Sequence, residues 1–113
     1  MNSISKTAII SSDVVIGDNV TIRDYVIIYP GVTIGNNVDI MEGCIIGRLP
    51  KGAKATARQV IKEYLKVEIG DDSVISPHTV IYTDVRIGKG TLIGDGASIR
   101  EKCVIGDYCI ISR

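Results

Sequence analysis

The chain has 113 residues, which is enough for one domain. Its 13 Lys and Arg residues balance 13 Asp and Glu residues, so bulk charge gives no reason to expect a nucleic-acid partner, and no apolar run is long enough to span a membrane. The hydrophobic content of 45% comes largely from Ile and Val, with no Trp or Phe, which favours stacked small aliphatic side chains over a core of large aromatics.

From the start of the chain, isoleucine recurs at every sixth position. This first ladder consists of Ile4, Ile10, Ile16, Ile22, Ile28, Ile34, Ile40 and Ile46. Two residues before each later rung the side chain is small, as at Ala8, Val14 and Cys44. Residues i and i−2 of a strand share a face. Each hexad therefore predicts a short strand with two inward side chains, followed by a turn.

A basic excursion at 48–66 interrupts the ladder. Its cations are Arg48, Lys51, Lys54, Arg58, Lys62 and Lys66, against the single acidic residue Glu63. We expect a looped-out segment in which Thr56 caps a short helix. The apolar stripe of this helix would be Val60, Ile61, Tyr64 and Leu65. Such cations suit phosphate groups, and the alternative is a solvated basic helix that docks on the coil through its stripe.

A second ladder follows the excursion with the same step of six. Its rungs are Ile69, Ile75, Ile81, Ile87, Ile93, Ile99, Ile105 and Ile111. The pair Ile-Gly recurs every eighteen residues within each ladder, as at Ile16-Gly17 and Ile34-Gly35, and Asp, Asn or Gly follows it within two residues. These residue types suit tight corners. A period of three hexads predicts a three-sided coil of about five turns, which resumes in phase after the excursion.

This repeat resembles the hexapeptide-repeat family. The resemblance lies in units such as 16–21 and 105–110, which read Ile-Gly-Asp-Asn-Val-Thr and Ile-Gly-Asp-Tyr-Cys-Ile. It implies an all-β fold, the left-handed parallel β-helix, as a single domain over 1–113. The left hand is implied by the resemblance alone, because general chirality rules favour right-handed crossovers.

Residues that immediately precede each ladder isoleucine are predicted to point outward. We number the three faces from the Ile-Gly corner, and the second face then carries an apolar column of Ile9, Ile27, Ile45 and Val80. An exposed apolar strip of this kind often marks an interface, although scattered surface Ile and Val are ordinary. The resemblance implies a trimer with parallel helix axes. We therefore expect a homotrimer through this column.

His78 is the one histidine, and it falls at the corner between the first and second faces. Counting by coils places Gly43 beneath it and Gly96 above it, with Glu42 and Asp95 one residue back. An accessible imidazole that a carboxylate can orient has the makeup of a general base. The alternative is an ordinary exposed corner histidine.

The resemblance also implies a chemistry, namely acyl-CoA-dependent acyl transfer in a cleft between two subunits. The details most resemble bacterial acetyltransferases that acylate an amino or hydroxyl group of a sugar or nucleotide-linked sugar. His78 would then be the base, with Glu42 and Asp95 as orienting carboxylates. Acetyl-CoA would be the co-substrate, and Lys51, Lys54, Arg58 and Lys62 would contact phosphates of CoA or of the small-molecule acceptor.

Several rival interpretations remain. The γ-class carbonic anhydrase arrangement needs three histidine ligands, so we expect no metal. A non-catalytic scaffold or assembly subunit stays open. The chain stops one hexad into a sixth coil, where family members usually continue, so we also consider a truncated fragment that lacks the catalytic half. The absence of a signal peptide and three cysteines at repeat positions favour a cytoplasmic protein without disulfides.

Overall fold

The computed structural model describes residues 1–54 and 60–112. These residues form short strands joined by tight corners. In chain order the strands are β1 (Ser3–Ile4), β2 (Ile9–Ile10), β3 (Val15–Ile16), β4 (Thr21–Ile22), β5 (Ile27–Ile28), β6 (Val32–Ile34), β7 (Asp39–Ile40), β8 (Ile45–Arg48), β9 (Val67–Ile69), β10 (Val74–Ile75), β11 (Val80–Tyr82), β12 (Val85–Ile87), β13 (Leu92–Ile93), β14 (Ser98–Ile99), β15 (Cys103–Ile105) and β16 (Ile110–Ile111).

The strands wind into three parallel sheets that form the sides of a left-handed β-helix. The first face has the order β1-β4-β7-β10-β13-β16, the second β2-β5-β8-β11-β14 and the third β3-β6-β9-β12-β15. Ladder isoleucines meet in register, as Ile4 meets Ile22 and Ile22 meets Ile40. Across the excursion, Ile34 pairs with Ile69. The predicted three-sided coil that resumes in phase is therefore confirmed.

Burial of the isoleucine ladders supplies the core. Nine ladder isoleucines are less than 2% exposed, namely Ile22, Ile28, Ile34, Ile40, Ile46, Ile75, Ile81, Ile87 and Ile93. The small inward residues, such as Val20, Val26 and Cys44, are also fully buried. The rungs of the two end coils are more open, because a rung there has a neighbour on one side only. The core is thus a continuous aliphatic stack.

In the second half of the coil, hydroxyl side chains take inward positions. Ser73, Thr79 and Thr91 are at most 1% exposed. The Ser73 Oγ donates to the Gly88 carbonyl oxygen at 2.9 Å, and the Thr91 Oγ1 donates to the Gly106 carbonyl oxygen at the same distance. Each bond joins one coil to the corner of the next. Within the described ranges, every buried side-chain nitrogen and oxygen atom has a hydrogen-bond partner.

The excursion contains no helix in the residues that the structure describes, so the predicted short helix is not seen there, and its expected cap Thr56 lies outside them. Residues 60–66 instead run along the coil. The Tyr64 ring stacks on the Tyr29 ring, with centroids 5.6 Å apart. The Leu65 amide donates to the Thr83 Oγ1 at 2.7 Å, and that hydroxyl donates back to the Leu65 carbonyl oxygen at 3.0 Å. These contacts hold the segment on the coil without a helix, while Tyr64 and Leu65 remain exposed.

No helix with the length and apolar character of a membrane span occurs in residues 1–54 or 60–112.

Candidate functional site

His78 lies at the corner between β10 and β11, with a left-handed φ of 60°. This conformation turns its backbone N–H toward the coil below, where it donates to the Glu42 carbonyl oxygen at 2.9 Å. Two further bonds fix the corner, because the Ser76 carbonyl oxygen accepts from the Thr79 Oγ1 at 2.7 Å and from the Cys44 Sγ at 3.0 Å. The imidazole is therefore an exposed side chain on a rigid corner.

The His78 ring rests directly on Gly43, as the count by coils predicted. A Cβ atom added at Gly43 would lie 2.5 Å from Nδ1 and 2.7 Å from Cε1 of His78. The Nδ1–Cε1 edge of the ring therefore lies against the Gly43 backbone. Gly96 follows in the next coil, and its N–H donates to the Pro77 carbonyl oxygen at 2.9 Å. The imidazole is thus an exposed ring seated over Gly43.

The two predicted orienting carboxylates lie near this corner, and both side chains are exposed. Glu42 lies 3.9 Å from an Arg23 guanidinium nitrogen, measured at its Oε2. Arg23 itself makes a two-point contact with Asp39, at 2.7 and 3.1 Å, which raises the pKa of the guanidinium. Within the described residues, neither Glu42 nor Asp95 forms a hydrogen bond with the His78 ring. The corner therefore combines one imidazole with exposed acidic neighbours.

The predicted phosphate contacts lie on the excursion. Lys51, Lys54 and Lys62 are exposed, and Arg58 lies outside the described residues. The structure therefore leaves three of the four predicted cations open to solvent.

An aromatic and basic cluster next to the excursion was missed at the level of sequence. The Tyr82 ring lies between two guanidinium groups, 4.1 Å from the Arg100 Cζ and 5.9 Å from the Arg48 Cζ. Tyr82 and Arg100 each follow a ladder isoleucine of the second face and are one coil apart. The spacing of one coil between Tyr82 and Arg100 was the sequence signal that could have predicted their contact. Arg48 joins them because a register shift pairs it with Tyr82.

The apolar column of the second face is present as predicted. Ile27 pairs with Ile9 and Ile45, and Val80 pairs with Ile45 and Ser98. Ile9 is 66% exposed, while Ile27, Ile45 and Val80 are half-buried. The described residues thus leave this column open along one side of the coil.

Shallow grooves formed by described residues lie away from His78. One of about 440 Å³ is lined by Lys66, Arg86 and Lys102 on the third face, and a second of about 380 Å³ adjoins it at the Ile-Gly corner. A third of about 340 Å³ lies between the excursion and the coil, beside Tyr29 and Arg48. Residues 1–54 and 60–112 contain no group of three His, Cys, Asp or Glu side chains suited to a metal ion.

Comparison with known proteins links this coil to acyl transfer. Residues 13–48 and 84–113, more than half of the chain, match the family described as bacterial transferase hexapeptide (six repeats). The sequence is 30% identical over 106 residues to the acyl-[acyl-carrier-protein]–UDP-N-acetylglucosamine O-acyltransferase of Campylobacter concisus. That alignment spans 93% of this chain and 36% of the relative, so the chain covers about a third of that protein's length.

Solved structures share the fold. Serine acetyltransferase isoform 3 from Entamoeba histolytica, in complex with cysteine, has a TM-score of 0.74 at 23% identity, over 95% of this chain and 35% of that one. AntD, an N-acyltransferase from Bacillus cereus in complex with dTDP and 3-hydroxybutyryl-CoA, has a TM-score of 0.69 at 21% identity, over 97% of this chain and 74% of that one. At these identities the likeness shows the architecture.

Proposed function

The chain belongs to the bacterial transferase hexapeptide family, and we propose that it is an acyltransferase. In this proposal it transfers an acetyl group from acetyl-CoA to an amino or hydroxyl group of a sugar or nucleotide-linked sugar. The observation that carries the proposal is the family match together with an exposed His78 held on a rigid corner. The bound dTDP and 3-hydroxybutyryl-CoA of AntD support the classes of acceptor and donor.

His78 has the role of general base in this scheme. Its Nε2 accepts the proton of the acceptor amine or hydroxyl while the acceptor nitrogen or oxygen attacks the thioester carbonyl carbon. The carbon–sulfur bond then breaks, and the CoA thiolate leaves and takes the proton from the imidazolium. Gly43 sets the position of the ring, because its missing side chain gives the Nδ1–Cε1 edge room against the backbone. Glu42 and Asp95 are the proposed carboxylates that stabilise the imidazolium charge.

Binding of the donor is assigned to the excursion. Lys51, Lys54, Arg58 and Lys62 are the proposed contacts to CoA phosphates, because ammonium and guanidinium groups form strong charge-assisted hydrogen bonds with phosphate oxygens. Lys51, Lys54 and Lys62 are exposed, and Arg58 lies outside the described residues.

A homotrimer through the second face completes the proposal. Ile9, Ile27, Ile45 and Val80 would be covered by a neighbouring subunit, in keeping with the trimeric habit of hexapeptide transferases. The His78 corner adjoins this face, so the active site would lie at the edge of the subunit interface. A cytoplasmic setting belongs to the same proposal, because inward-facing free thiols suit a reducing compartment.

The competing function is a non-catalytic scaffold that uses the same apolar face, and acetyl-CoA binding separates the two. A donor that binds the folded state raises the melting temperature, by mass action. We expect acetyl-CoA to raise the melting temperature of the wild-type protein and of His78→Ala equally. A variant with Gln at Lys51, Lys54 and Lys62 should show a smaller rise. No rise in the wild-type protein would favour the scaffold.

A further inference from the structure

Arg48 is the first residue of the excursion, and the coil fixes its position. It is the last residue of β8, and its carbonyl oxygen accepts from the Thr83 N–H at 2.8 Å. Its exposed side chain crosses the Tyr82 ring at 5.9 Å and forms no ion pair with another described residue. A guanidinium that lies over a ring keeps its N–H edges free for an anion. Arg48 is thus a preorganised cation without an anionic partner among the described residues.

An aromatic wall and this cation line one cavity, the shallow groove of about 340 Å³ described above. The Tyr29 and Tyr64 rings stack with an interplanar angle of 16°. They line the cavity of about 340 Å³ together with Arg48, Leu49, Pro50 and Lys51. Pro50 is buried and Leu49 is half-buried, so this stretch of the lining packs into the fold. Tyr64 remains 40% exposed, which leaves ring surface open to a ligand.

We propose that this cavity binds a nucleobase linked to a diphosphate, with the phosphates on Arg48 and Lys51 and the base against the Tyr29–Tyr64 pair. Cationic groups beside an exposed aromatic surface match both halves of such a ligand, since phosphates prefer guanidinium and ammonium donors and any base has a face that can stack. The volume lies at the lower end of the range for small-ligand sites, which suits one nucleotide. Tyr82 is a positioning residue, because it supports the Arg48 side chain.

Two substrates of the proposed reaction carry this chemistry, and the assignment to a reaction rests on the proposed function. A nucleotide-linked sugar presents a base and a diphosphate, and CoA presents adenine, a diphosphate and a further phosphate. The two sources are separated by using UDP and CoA as probes. Inorganic pyrophosphate serves as a third probe that lacks a base.

Isothermal titration calorimetry on the full chain tests the site with three variants. Arg48→Gln removes the fixed cation, and Tyr64→Leu removes the aromatic wall. Arg86→Gln is the matched control, because Arg86 is an exposed arginine on the third face. At least one of UDP and CoA should bind the wild type and bind Arg48→Gln about 10- to 100-fold more weakly. Tyr64→Leu should weaken the same probe by about fivefold or more and leave pyrophosphate binding unchanged.

Either of two results overturns the inference: neither UDP nor CoA binds the wild-type protein, or Arg48→Gln binds both probes as tightly as Arg86→Gln does. The probe that responds to Arg48→Gln identifies the source of the nucleotide. Failure of the proposed function gives a different pattern, in which the Arg48-dependent affinity is present but no acetyl group is transferred to any acceptor. If Arg48→Gln transfers acetyl groups and binds UDP and CoA with wild-type affinity, the proposed site is wrong and the proposed function still stands.

Discussion

At the scale of single residues, glycines and left-handed residues have separate tasks at the Ile-Gly corner. The repeated Gly of the Ile-Gly corner is required by close approach, since a Cβ at Gly70 would lie 2.5 Å from the Gly88 carbonyl carbon. The left-handed backbone falls two residues later, as at Asn19 and Asn37, each with a φ of 58°. Asn accepts this conformation more readily than most residues do. The Ile-Gly corner thus needs Gly for the close approach between coils and a residue such as Asn for the left-handed backbone.

Gly43 is the residue on which the orientation of His78 depends. Gly43→Ala places a methyl group within 3 Å of the imidazole and forces the ring to move. We expect acetyl transfer to fall at least tenfold, as reaction geometry at a general base is sensitive to small displacements. Gly96→Ala is the control, because Gly96 has a similar left-handed φ, 67° against 73° at Gly43. Initial rates of CoA release measure the effect, and equal rates in the two variants would contradict it.

Cys44 gives the stability a defined pH dependence. Burial raises the pKa of its thiol to about 11, from the ordinary value of 9.0. The native thiol keeps its proton to higher pH than the unfolded thiol, so this stabilisation is complete below about pH 9 and is lost as the pH rises toward 11. Urea unfolding of wild type and Cys44→Ala should show their stability difference shrink by up to about 2 kcal/mol across that window. A constant difference would show that Cys44 titrates normally.

At the scale of elements, strands of two to four residues have little stability alone and depend on their stacked neighbours. Each rung contributes by burying an isoleucine between two others, and hydroxyls such as Ser73 join successive coils through the corner carbonyl groups. Stability therefore accumulates along the axis and is lowest at the end coils, as expected for a solenoid.

The ladder predicts that the stability lost when an isoleucine side chain is truncated depends on the position of that residue along the axis. Ile40→Ala empties a fully buried rung between Ile22 and Ile75, and we expect a loss of about 2–5 kcal/mol in the free energy of unfolding. Ile4→Ala makes the same change at a rung that is 45% exposed, and the loss should be about 1 kcal/mol or less. Chemical denaturation of both variants measures the contrast. Equal losses would show that the rungs are not stacked as described.

Elements with strict periodicity were predictable from sequence, and irregular ones were not. The period of eighteen specified the faces, the register and the place of His78 over Gly43. The excursion has no repeat, and its apolar residues gave a helical pattern although Leu65 bonds to Thr83 outside any helix. The Arg48–Tyr82 contact depends on a one-residue register shift, which periodicity alone does not reveal. The hand of the coil came from the resemblance.

At the scale of the whole molecule, the described coil presents three chemically different regions of surface. The second face is apolar, the excursion beside it is basic, and the His78 corner carries carboxylates on neighbouring coils. A neighbour that covers the apolar column would bring its own surface next to His78. Assembly and catalysis are therefore linked in the proposed function.

Charge placed on the second face tests the assembly. Ile27 and Ile45 are paired neighbours in the apolar column, and a double change to Glu would bury two carboxylates in the proposed interface. We expect the mass in solution, measured by light scattering, to fall from that of a trimer to that of a monomer. Arg86→Glu on the third face is the control for added negative charge. An unchanged mass in the double variant would show that another surface holds the oligomer together.

Acetyl transfer itself is the most direct test of the account. The measurement is the rate of CoA release from acetyl-CoA, with a nucleotide-linked amino sugar as acceptor, for the wild-type protein and for His78→Ala. We expect acceptor-dependent release by the wild type and a loss of about 10²- to 10⁴-fold in the variant, which is the usual contribution of a general base. Release by His78→Ala at the wild-type rate would contradict it.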